Sequence, residues 1–390
     1  MHHCIIQRKF ILIQLTAFPL RRFINRFFFY INVLLAAALL LSYLSTYISP
    51  ARIWVLAFFG LAYPYILFLN ALFMIYWILR LKKEFLVSFL VILLGLNHLN
   101  DFIPMRLGKD SKKEFVKENP RQLKILSYNV RLFNIYEWLS DPGTNQDIFN
   151  FIRSERPDII CLQEFYSSTK KEYRPEKIKK FFSETPYSFI HYSFKNSSNS
   201  GYGIATFSRY PIVNQGTISF PKTANEAIFT DVIVDNDTIR IYNNHLQSVQ
   251  LQRRNLKFLD TLKLRYDEEQ IKEIKDISSR LKTAYIKRSA QVDSISKHIK
   301  ASTFPVLVCG DFNDTPVSYS YRKMRKGLKD AFISSGQGTG STYQGLFPYF
   351  RIDYIFHGED FKPILFEKVE AKLSDHYPII CIFELQDKTK

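Results

Sequence analysis

The first hundred residues alternate long uncharged stretches with short basic clusters. Residues 27–49 and 53–79 contain no charged side chain, and 85–100 is a third, shorter stretch of the same kind. About 20 apolar residues in a helix cross the hydrocarbon core of a bilayer. The pattern therefore predicts a membrane anchor within residues 1–106, with two or three transmembrane helices at about 27–49, 53–79 and 85–103.

The basic clusters predict how this anchor is oriented. Arg21, Arg22 and Arg26 precede the first stretch, and Lys82 and Lys83 follow the second. Since basic loops stay in the cytoplasm, three crossings place the rest of the chain outside, at an inner or plasma membrane. If the third stretch is re-entrant, the remainder is cytoplasmic. The stretches hold no internal acid or base, which favours an anchor over a transporter.

After a charged linker at 107–121, short apolar runs alternate with amphipathic segments. This pattern predicts an α/β domain over residues 122–387 with buried sheets. The expected helices are 146–155, 173–183 and a long helical pattern within 249–300. The expected strands are 123–128, 158–163, 187–192, 203–208, 228–234, 238–244, 305–309, 352–356 and 377–383.

Composition narrows the class of protein. Of 390 residues, 47% are hydrophobic and 16% aromatic, which excludes a disordered chain. Four cysteines are too few for a disulfide scaffold. Cys161, Cys309 and Cys381 lie in apolar strand-like runs and are expected to be buried free thiols. The net charge is +17, and residues 249–300 alone hold 13 Lys and Arg against seven Asp and Glu.

Polar side chains cluster where the apolar runs of this domain begin or end. They are Asn129, Arg131, Glu164, Asn243, His245, Asp311, Asn313, Asp353, Asp375 and His376. The ends of strands are where α/β enzymes build their sites. Oxygen-rich ligands suit a hard divalent cation, and two histidines without cysteine do not fit a structural zinc site. Each piece alone also fits an ordinary turn or helix cap, so the ordered set is what indicates an active site.

The ordered set resembles the endonuclease/exonuclease/phosphatase (deoxyribonuclease-I-like) superfamily over residues 122–385. That superfamily includes deoxyribonucleases, abasic-site endonucleases, neutral sphingomyelinases and inositol-phosphate phosphatases. The matching pieces are SYNVR at 127–131, LQE at 162–164, GYGIATFSRYPI at 201–212, NNHLQS at 243–248, GDFND at 310–314, RIDYIF at 351–356 and SDHYPI at 374–379. The resemblance implies two packed β-sheets flanked by helices, a four-layer α/β sandwich.

The resemblance also implies roles for these residues. Glu164, Asn129 and Asp375 are expected to bind Mg²⁺ or Mn²⁺, and Arg131 and Asn243 to bind substrate. The expected catalytic residues are His245, Asp311, Asn313, Asp353 and His376, with Asp353 orienting His376. Deoxyribonuclease-type members carry a glutamate in the third piece that partners the first histidine. Residues 201–205 here contain no acid, so His245 is expected to hold a phosphate oxygen rather than act as a general acid.

Three functions stay open at this stage. The first is a metal-dependent hydrolase of a phosphodiester such as nucleic acid. The second is a phosphodiesterase acting on a membrane lipid, and the third is a catalytically silent anchored binding module. The basic segment 249–300 suits nucleic acid or an anionic membrane surface, and also an ordinary solvated helix face. No protein partner is indicated.

Overall fold

The structure, a computed structural model, describes residues 2–104, 121–141, 143–221, 223–260, 268–344 and 350–386. Side chains are described from residue 22 onward, except at positions 171, 253 and 260. Apart from its last residue, the linker expected at 107–121 lies outside these ranges.

The region expected to be a membrane anchor, called the anchor below, has five helices within the described residues 2–104: α1 (His2–Ser45), α2 (Val55–Leu61), α3 (Tyr63–Leu79), α4 (Phe85–Leu94) and α5 (Leu96–Phe102). Within α1, Arg22–Ser45 is long and apolar enough to cross a membrane by itself. The pairs α2–α3 and α4–α5 are bent by 64° and 65°, so each is a broken span or a re-entrant loop.

The two bends correct the expectation of continuous helices at 53–79 and 85–103. Pro64 lies in the first turn of α3, where its ring and missing N–H are incompatible with a helix continuing from α2. Gly95 separates α4 from α5, and glycine tolerates the local change of backbone direction. The uncharged stretches alone carry no signal for such breaks.

Buried polar side chains join the helices of the anchor. Asn32 on α1 donates to Ser88 on α4 at 2.6 Å, and Ser88 donates to Asn70 on α3 at 3.1 Å. The Trp77 indole donates to the Asn32 carbonyl oxygen at 2.9 Å. Polar groups shielded from water find partners across helices, so this network fixes how α1, α3 and α4 pack together.

The described residues from 121 onward form two six-stranded sheets. The first sheet has the order β11-β12-β1-β2-β4-β3, and the second has the order β5-β6-β7-β8-β10-β9. The parallel pairs are β1–β2 in the first sheet and β7–β8 in the second. The strands are β1 (Gln122–Asn129), β2 (Ile159–Ser167), β3 (Tyr187–Lys195), β4 (Gly201–Ser208), β5 (Ile212–Ile218), β6 (Glu226–Val234), β7 (Asp237–His245), β8 (Val306–Asp311), β9 (Lys329–Asp330), β10 (Asp353–His357), β11 (Phe361–Lys368) and β12 (Ile379–Leu385).

Six helices of the described residues accompany the two sheets. They are α6 (Thr144–Glu155), α7 (Pro175–Phe181), α8 (Arg253–Asp260), α9 (Glu268–Lys300), α10 (Tyr319–Met324) and α11 (Ala331–Ser335). One apolar cluster lies between the sheets, a second joins the first sheet to α6 and α7, and a third joins the second sheet to α9 and α10. The expected four-layer α/β sandwich is confirmed.

Most of the expected elements are present, and Cys161, Cys309 and Cys381 are buried free thiols. The segment 249–300 contains two helices, α8 and α9, with residues 261–267 outside the described ranges. The strands β5, β9 and β11 were not expected. All three are edge strands, and edge strands carry mixed polar and apolar side chains because one edge faces solvent.

The anchor packs directly on the α/β domain. The Ser45 hydroxyl at the end of α1 donates to the Val317 carbonyl at 3.3 Å, and Val317 is fully buried among anchor side chains. Asp101 of α5 forms an ion pair with Arg325. Arg351 donates to the Asp101 carbonyl at 2.6 Å. We call this contact region the junction; it joins the end of the helix bundle to the segment that follows β8.

Candidate active site

Three neighbouring strands of the second sheet place their polar ends in one row. The register pairs His245 on β7 with Asp311 on β8, and Asp311 with Asp353 on β10. Gly310 makes the close approach of β7 and β8 possible, because a Cβ there would lie 2.0 Å from the Asn244 carbonyl oxygen. Three side chains expected to be catalytic therefore lie on adjacent strands.

The first sheet contributes Asn129 and Glu164 to the same cleft. Glu164 lies where the pairing of β2 with β4 shifts register, and its φ is +50°. A bulge with a left-handed residue re-aims a side chain and is typical of strands next to functional sites. Asn129 bridges the two sheets, since its Nδ2 lies 3.5 Å from Glu164 Oε1 and 3.0 Å from Asp311 Oδ2.

His376 precedes β12 and forms a close pair with Asp353. Its Nδ1 lies 2.9 Å from Asp353 Oδ2, and its Nε2 lies 3.7 Å from Asp311 Oδ2. Burial opposes the charged imidazolium, but the Asp353 and Asp311 carboxylates outweigh it and raise the pKa of His376 well above its ordinary value. The Tyr343 ring covers His376 at 5.3 Å between centroids. No sequence motif pointed to Tyr343.

Asp311 is held by amide donors from both sides. Asn313 donates its backbone N–H to Asp311 Oδ1 at 2.8 Å and its Nδ2 to Asp311 Oδ2 at 3.1 Å. Asn313 has a φ of +52°, and its amide also reaches the Leu246 carbonyl at 3.0 Å. Burial raises the pKa of Asp311. The carboxylate is fixed in position and is poised to accept a proton.

His245 has an unpartnered nitrogen aimed at these carboxylates. Its Nε2 is buried without a hydrogen-bond partner among the described residues, 3.8 Å from both Glu164 Oε1 and Asp311 Oδ2. Burial lowers the pKa of His245 and favours the neutral ring. Glu226 on β6 lies opposite His245 in register, but its carboxylate contacts His191 at 3.1 Å.

The charge around Glu164 fits a bound cation. Burial, together with the neighbouring Asp375 and Asp311 carboxylates, raises the pKa of Glu164 to about 7. Buried like charges are costly until a counter-charge compensates them. Asp311, Asp353 and His376 also place ligand atoms within 4.8 Å of one another. Since Asp353 already engages Nδ1 of His376, the oxygen ligands at Glu164 match a hard cation better.

Arg131 and Asp375 flank the mouth of this cluster. Arg131 Nε lies 3.3 Å from Asp375 Oδ2, and its guanidinium stacks 4.5 Å from the centroid of Trp138. Four consecutive residues from Arg131 to Asn134 have positive φ. This left-handed turn directs the chain so that exposed Tyr136 packs against Trp138 at 5.1 Å. The two aromatic residues beside Arg131 were not singled out from the sequence.

Asn243 lies apart from the cleft, which corrects its expected role in binding substrate. It is fully buried, accepts from Gln163 Nε2 at 2.7 Å and donates to the Ala205 carbonyl at 2.9 Å. Gln163 and Ala205 belong to the first sheet and Asn243 to the second. The amide therefore ties the two sheets together beneath the cleft.

Arg288 supports the loops of the cleft from behind, a role that the sequence did not indicate. It is almost fully buried and donates to the backbone carbonyls of Gln247 and Asn313. Its Nε lies 3.4 Å from the buried Asp314 carboxylate. Its only signal was its spacing with the apolar positions Tyr285, Val292 and Ile295 on α9, which marks it as inward-facing.

Comparisons with known proteins were made for both parts of the chain. Residues 126–376 match the model of the Endonuclease/Exonuclease/phosphatase family, and residues 25–102 match a Domain of unknown function (DUF8431). No curated protein matches the chain.

Several solved structures are similar to part of this chain at low identity. An endonuclease/exonuclease/phosphatase from Beutenbergia cavernae has 15% identity and a TM-score of 0.48, with 68% of this chain and 72% of that chain covered. The human Nocturnin catalytic domain with bound sulfate has 18% identity and a TM-score of 0.47, with 68% of this chain and 95% of that chain covered. An endonuclease/exonuclease/phosphatase from Bacteroides vulgatus has 17% identity and a TM-score of 0.47, with 68% of this chain and 99% of that chain covered.

The family match spans well over half of the chain. It contains each of the polar residues that the two sheets bring to the cleft. The chain therefore belongs to the endonuclease/exonuclease/phosphatase family.

Proposed function

We propose that this protein is a metal-dependent phosphodiesterase that hydrolyses its substrate by in-line attack of water. The observation that carries the proposal is the arrangement around Asp311. Its carboxylate accepts from Asn129 and Asn313, and both histidines present Nε2 to it within 4 Å. Such a set of acids, amides and histidines suits transfer of a phosphoryl group to water.

The cation is expected at Glu164. Glu164 and Asn129 would hold Mg²⁺ or Mn²⁺, with Asp375 as a further ligand or as the support of its neighbours. A bound divalent cation neutralises a phosphate oxygen and stabilises charge that develops in the transition state. The excess of buried carboxylate that raises the pKa of Glu164 supports this assignment.

The chain's own residues handle the proton and the phosphate. Asp353 holds His376 through Nδ1, which leaves the other ring nitrogen facing Asp311 and the substrate. Asp311 accepts the proton of the attacking water as its oxygen bonds to phosphorus, and the charged His376 stabilises the negative phosphoryl oxygens. The bond from phosphorus to the leaving oxygen breaks on the opposite side, and that oxygen takes up a proton from solvent. Asn313 and His245 hold phosphate oxygens, and Arg131 binds a substrate phosphate beside the mouth of the cleft.

The intact cluster argues against a catalytically silent binding module. Glu164, Asp311, Asp353 and His376 are all in place and are oriented by hydrogen bonds or ion pairs. A module that needs only the fold has no physical reason to keep several buried acids together, since each raises the energy of its neighbours.

Nucleic acid is the first substrate class and a membrane lipid phosphodiester the second. The fold is shared with nucleases, and the net positive charge favours a polyanion. The junction favours the lipid, because it holds the α/β domain against the end of a membrane anchor.

The substrate class is tested with the full-length protein in nanodiscs. Plasmid DNA, RNA and mixed phospholipid vesicles are each incubated with Mg²⁺, and His376→Ala serves as the inactive control. Cleavage of DNA or RNA that His376→Ala lacks supports the nuclease. Lipid hydrolysis without cleavage of nucleic acid supports the second class. If all three substrates remain intact with a folded protein, both substrate classes are wrong.

We also propose that residues 122–387 form the catalytic domain on the extracytoplasmic side. Arg80, which directly follows α3, donates to the Asn25 side chain near the start of the α1 span at 3.3 Å. Arg80 and the basic residues around the start of that span therefore lie at one end of the bundle. The junction lies at the other end of that span. A reporter fused after Lys390 that is active only in the cytoplasm would contradict this orientation, whether or not the bent pairs cross.

A further inference from the structure

Helix α9 is only half covered by the α/β domain. All of its buried residues lie in the second half, from Ala284 to Ile299. In the first half, Ile271 and Ile274 are 46% and 53% exposed. Large apolar side chains in an exposed pair on a helix indicate a surface that meets another partner.

The two isoleucines share one helix face with residues that contact the anchor. Ile271, Ile274, Ser278, Lys282 and Tyr285 follow one another at spacings of three, four, four and three residues. Such spacings place side chains on one side of an α-helix. We call this set the α9 stripe.

The C-terminal end of the α9 stripe lies against the end of the membrane anchor. The Tyr285 ring meets the Phe58 ring edge to face at 5.8 Å, and Lys282 Nζ lies 4.7 Å from the centroid of Trp54. Trp54 directly precedes α2, and tryptophan is enriched at the membrane–water boundary. The rest of the stripe continues from this contact and reaches Ile271 roughly 17 Å further along the helix.

Charge is divided between the two sides of α9. Lys282 belongs to the stripe, and exposed Lys275 lies beside it. On the other side, Asp276 accepts hydrogen bonds from Arg254, Arg280 and Asn255 at 3.1, 2.9 and 3.0 Å. The stripe therefore combines isoleucine with lysine. An anionic bilayer surface accepts both, whereas a nucleic acid backbone would attract the lysines but leave the isoleucines in water.

We propose that the α9 stripe lies on the surface of an anionic phospholipid bilayer, with Ile271 and Ile274 inserted at the headgroup boundary. The domain then has a second membrane contact beside its anchor. Arg288 of the same helix donates to the Gln247 carbonyl, two residues after His245, so this contact also holds the cleft at a set position relative to the membrane. The proposal does not depend on the activity of the cleft.

The test is site-directed fluorescence on the full-length protein in nanodiscs. The discs contain phosphatidylcholine with about a third phosphatidylglycerol, an anionic lipid. Ile271→Cys and Ile274→Cys are made in a Cys4→Ser background and labelled with an environment-sensitive dye; the other three cysteines are buried. Thr283→Cys is the matched control, because Thr283 is exposed on α9 and faces away from the stripe. Lipids that carry a shallow quencher are then incorporated.

The proposal predicts blue-shifted emission and several-fold stronger lipid quenching at positions 271 and 274 than at 283. The difference should weaken when phosphatidylglycerol is replaced by phosphatidylcholine. Equal quenching at all three positions overturns the proposal. A blue shift without lipid quenching also overturns it, since the stripe would then be covered by protein, such as a second copy of the chain.

Discussion

At the scale of single residues, Asp311 connects the two sheets and the two histidines. Asn129 reaches it from the first sheet, while His245 and Asp353 flank it in the second. The chemistry of Asp311 depends on two neighbouring histidines that differ in protonation state. Burial favours a neutral His245, whereas the adjacent carboxylates favour a charged His376. We therefore expect the two histidines to respond differently to substitution and to pH.

The raised pKa of Glu164 predicts a pH-dependent cation effect. Between its ordinary value of 4.5 and about 7, the folded metal-free protein holds the proton that the unfolded chain releases. Stability without metal therefore falls as pH rises through this window, and a cation, which binds the carboxylate, compensates the loss. The rise in melting temperature on adding Mg²⁺ should be small near pH ~5.5 and large near pH ~8.

Glu164→Gln should remove this Mg²⁺-dependent rise at every pH, as followed by intrinsic fluorescence during heating. Glu359→Gln is the matched control, since Glu359 is exposed outside the cleft. A rise that survives in Glu164→Gln, with unchanged pH dependence, would place the cation elsewhere.

Asp353→Asn should separate catalysis from binding. Asp353 touches His376 and supports its charge, and a positioned acid or base contributes about 10²–10⁴-fold to rate. We expect kcat for a phosphodiester to fall within that range, with little change in KM and a shifted pH profile. Asp360→Asn, at an exposed position, should behave as wild type. An unchanged kcat in Asp353→Asn would refute the role of this pair.

The ordered motifs in the sequence predicted most members of the cleft because each follows or precedes a strand. They assigned Asn243 to substrate binding, whereas its amide is used between the sheets, and they did not include Tyr343, which covers His376 from outside any motif. Such roles depend on which face of a strand or loop is buried by a distant segment, and a local pattern does not contain that information.

At the scale of elements, the approach of β7 to β8 sets the row of residues for which we propose catalytic roles. Gly310 has a φ of +134°, and a Cβ there would meet the Asn244 backbone. Gly310→Ala should therefore separate the strands and cost about 2 kcal/mol or more of stability. Turnover should fall by more than the loss of folded protein explains, because Gly310 directly precedes Asp311. Melting temperature and turnover are the readouts.

Gly338→Ala is the control for Gly310→Ala. Gly338 also has a positive φ, +76°, but a Cβ there meets nothing within 4 Å. The Gly338→Ala variant therefore has the backbone strain without the steric clash, and its melting temperature should fall less than that of Gly310→Ala. Equal losses in the two variants would contradict the steric account.

The periodicity of apolar positions predicted the buried central strands and α6 to within two residues, except that β2 continues four residues past its expected end at 163. It failed at the edges, where β5 and β11 expose polar side chains, and at the breaks beside Ala62 and Gly95. Edge strands lack the continuous apolar run of a central strand. A bend in an uncharged helix changes no side-chain pattern, so length alone suggested continuous spans.

At the scale of the whole molecule, the junction makes the anchor part of the folded domain. Asp101 is mostly buried and faces Arg325. Its carbonyl accepts from Arg351, which stands two residues before Asp353. Asp101→Leu should leave the Arg325 guanidinium without its carboxylate partner and lower the free energy of unfolding by about 2 kcal/mol. The measurement is the melting temperature of the full-length protein in detergent, which should fall.

A double-mutant cycle checks that this loss comes from the pair. Arg325→Leu in the Asp101→Leu background should cost less than Arg325→Leu alone, because the carboxylate it served is already gone. Strictly additive losses would show that the junction does not couple the two side chains. Because the anchor takes part in this contact, activity should be tested on the full-length protein and not on a fragment that lacks the anchor.

The central claim is that a cation at Glu164 and the Asp353–His376 pair hydrolyse a phosphodiester. The most direct test measures hydrolysis of bis(4-nitrophenyl) phosphate by the full-length protein in nanodiscs, with and without Mg²⁺. We predict turnover that requires the cation, falls by about 10²-fold or more in both Glu164→Gln and His376→Ala, and persists in Asp360→Asn. Turnover that is independent of the cation, or that survives in both cleft variants, would contradict the account.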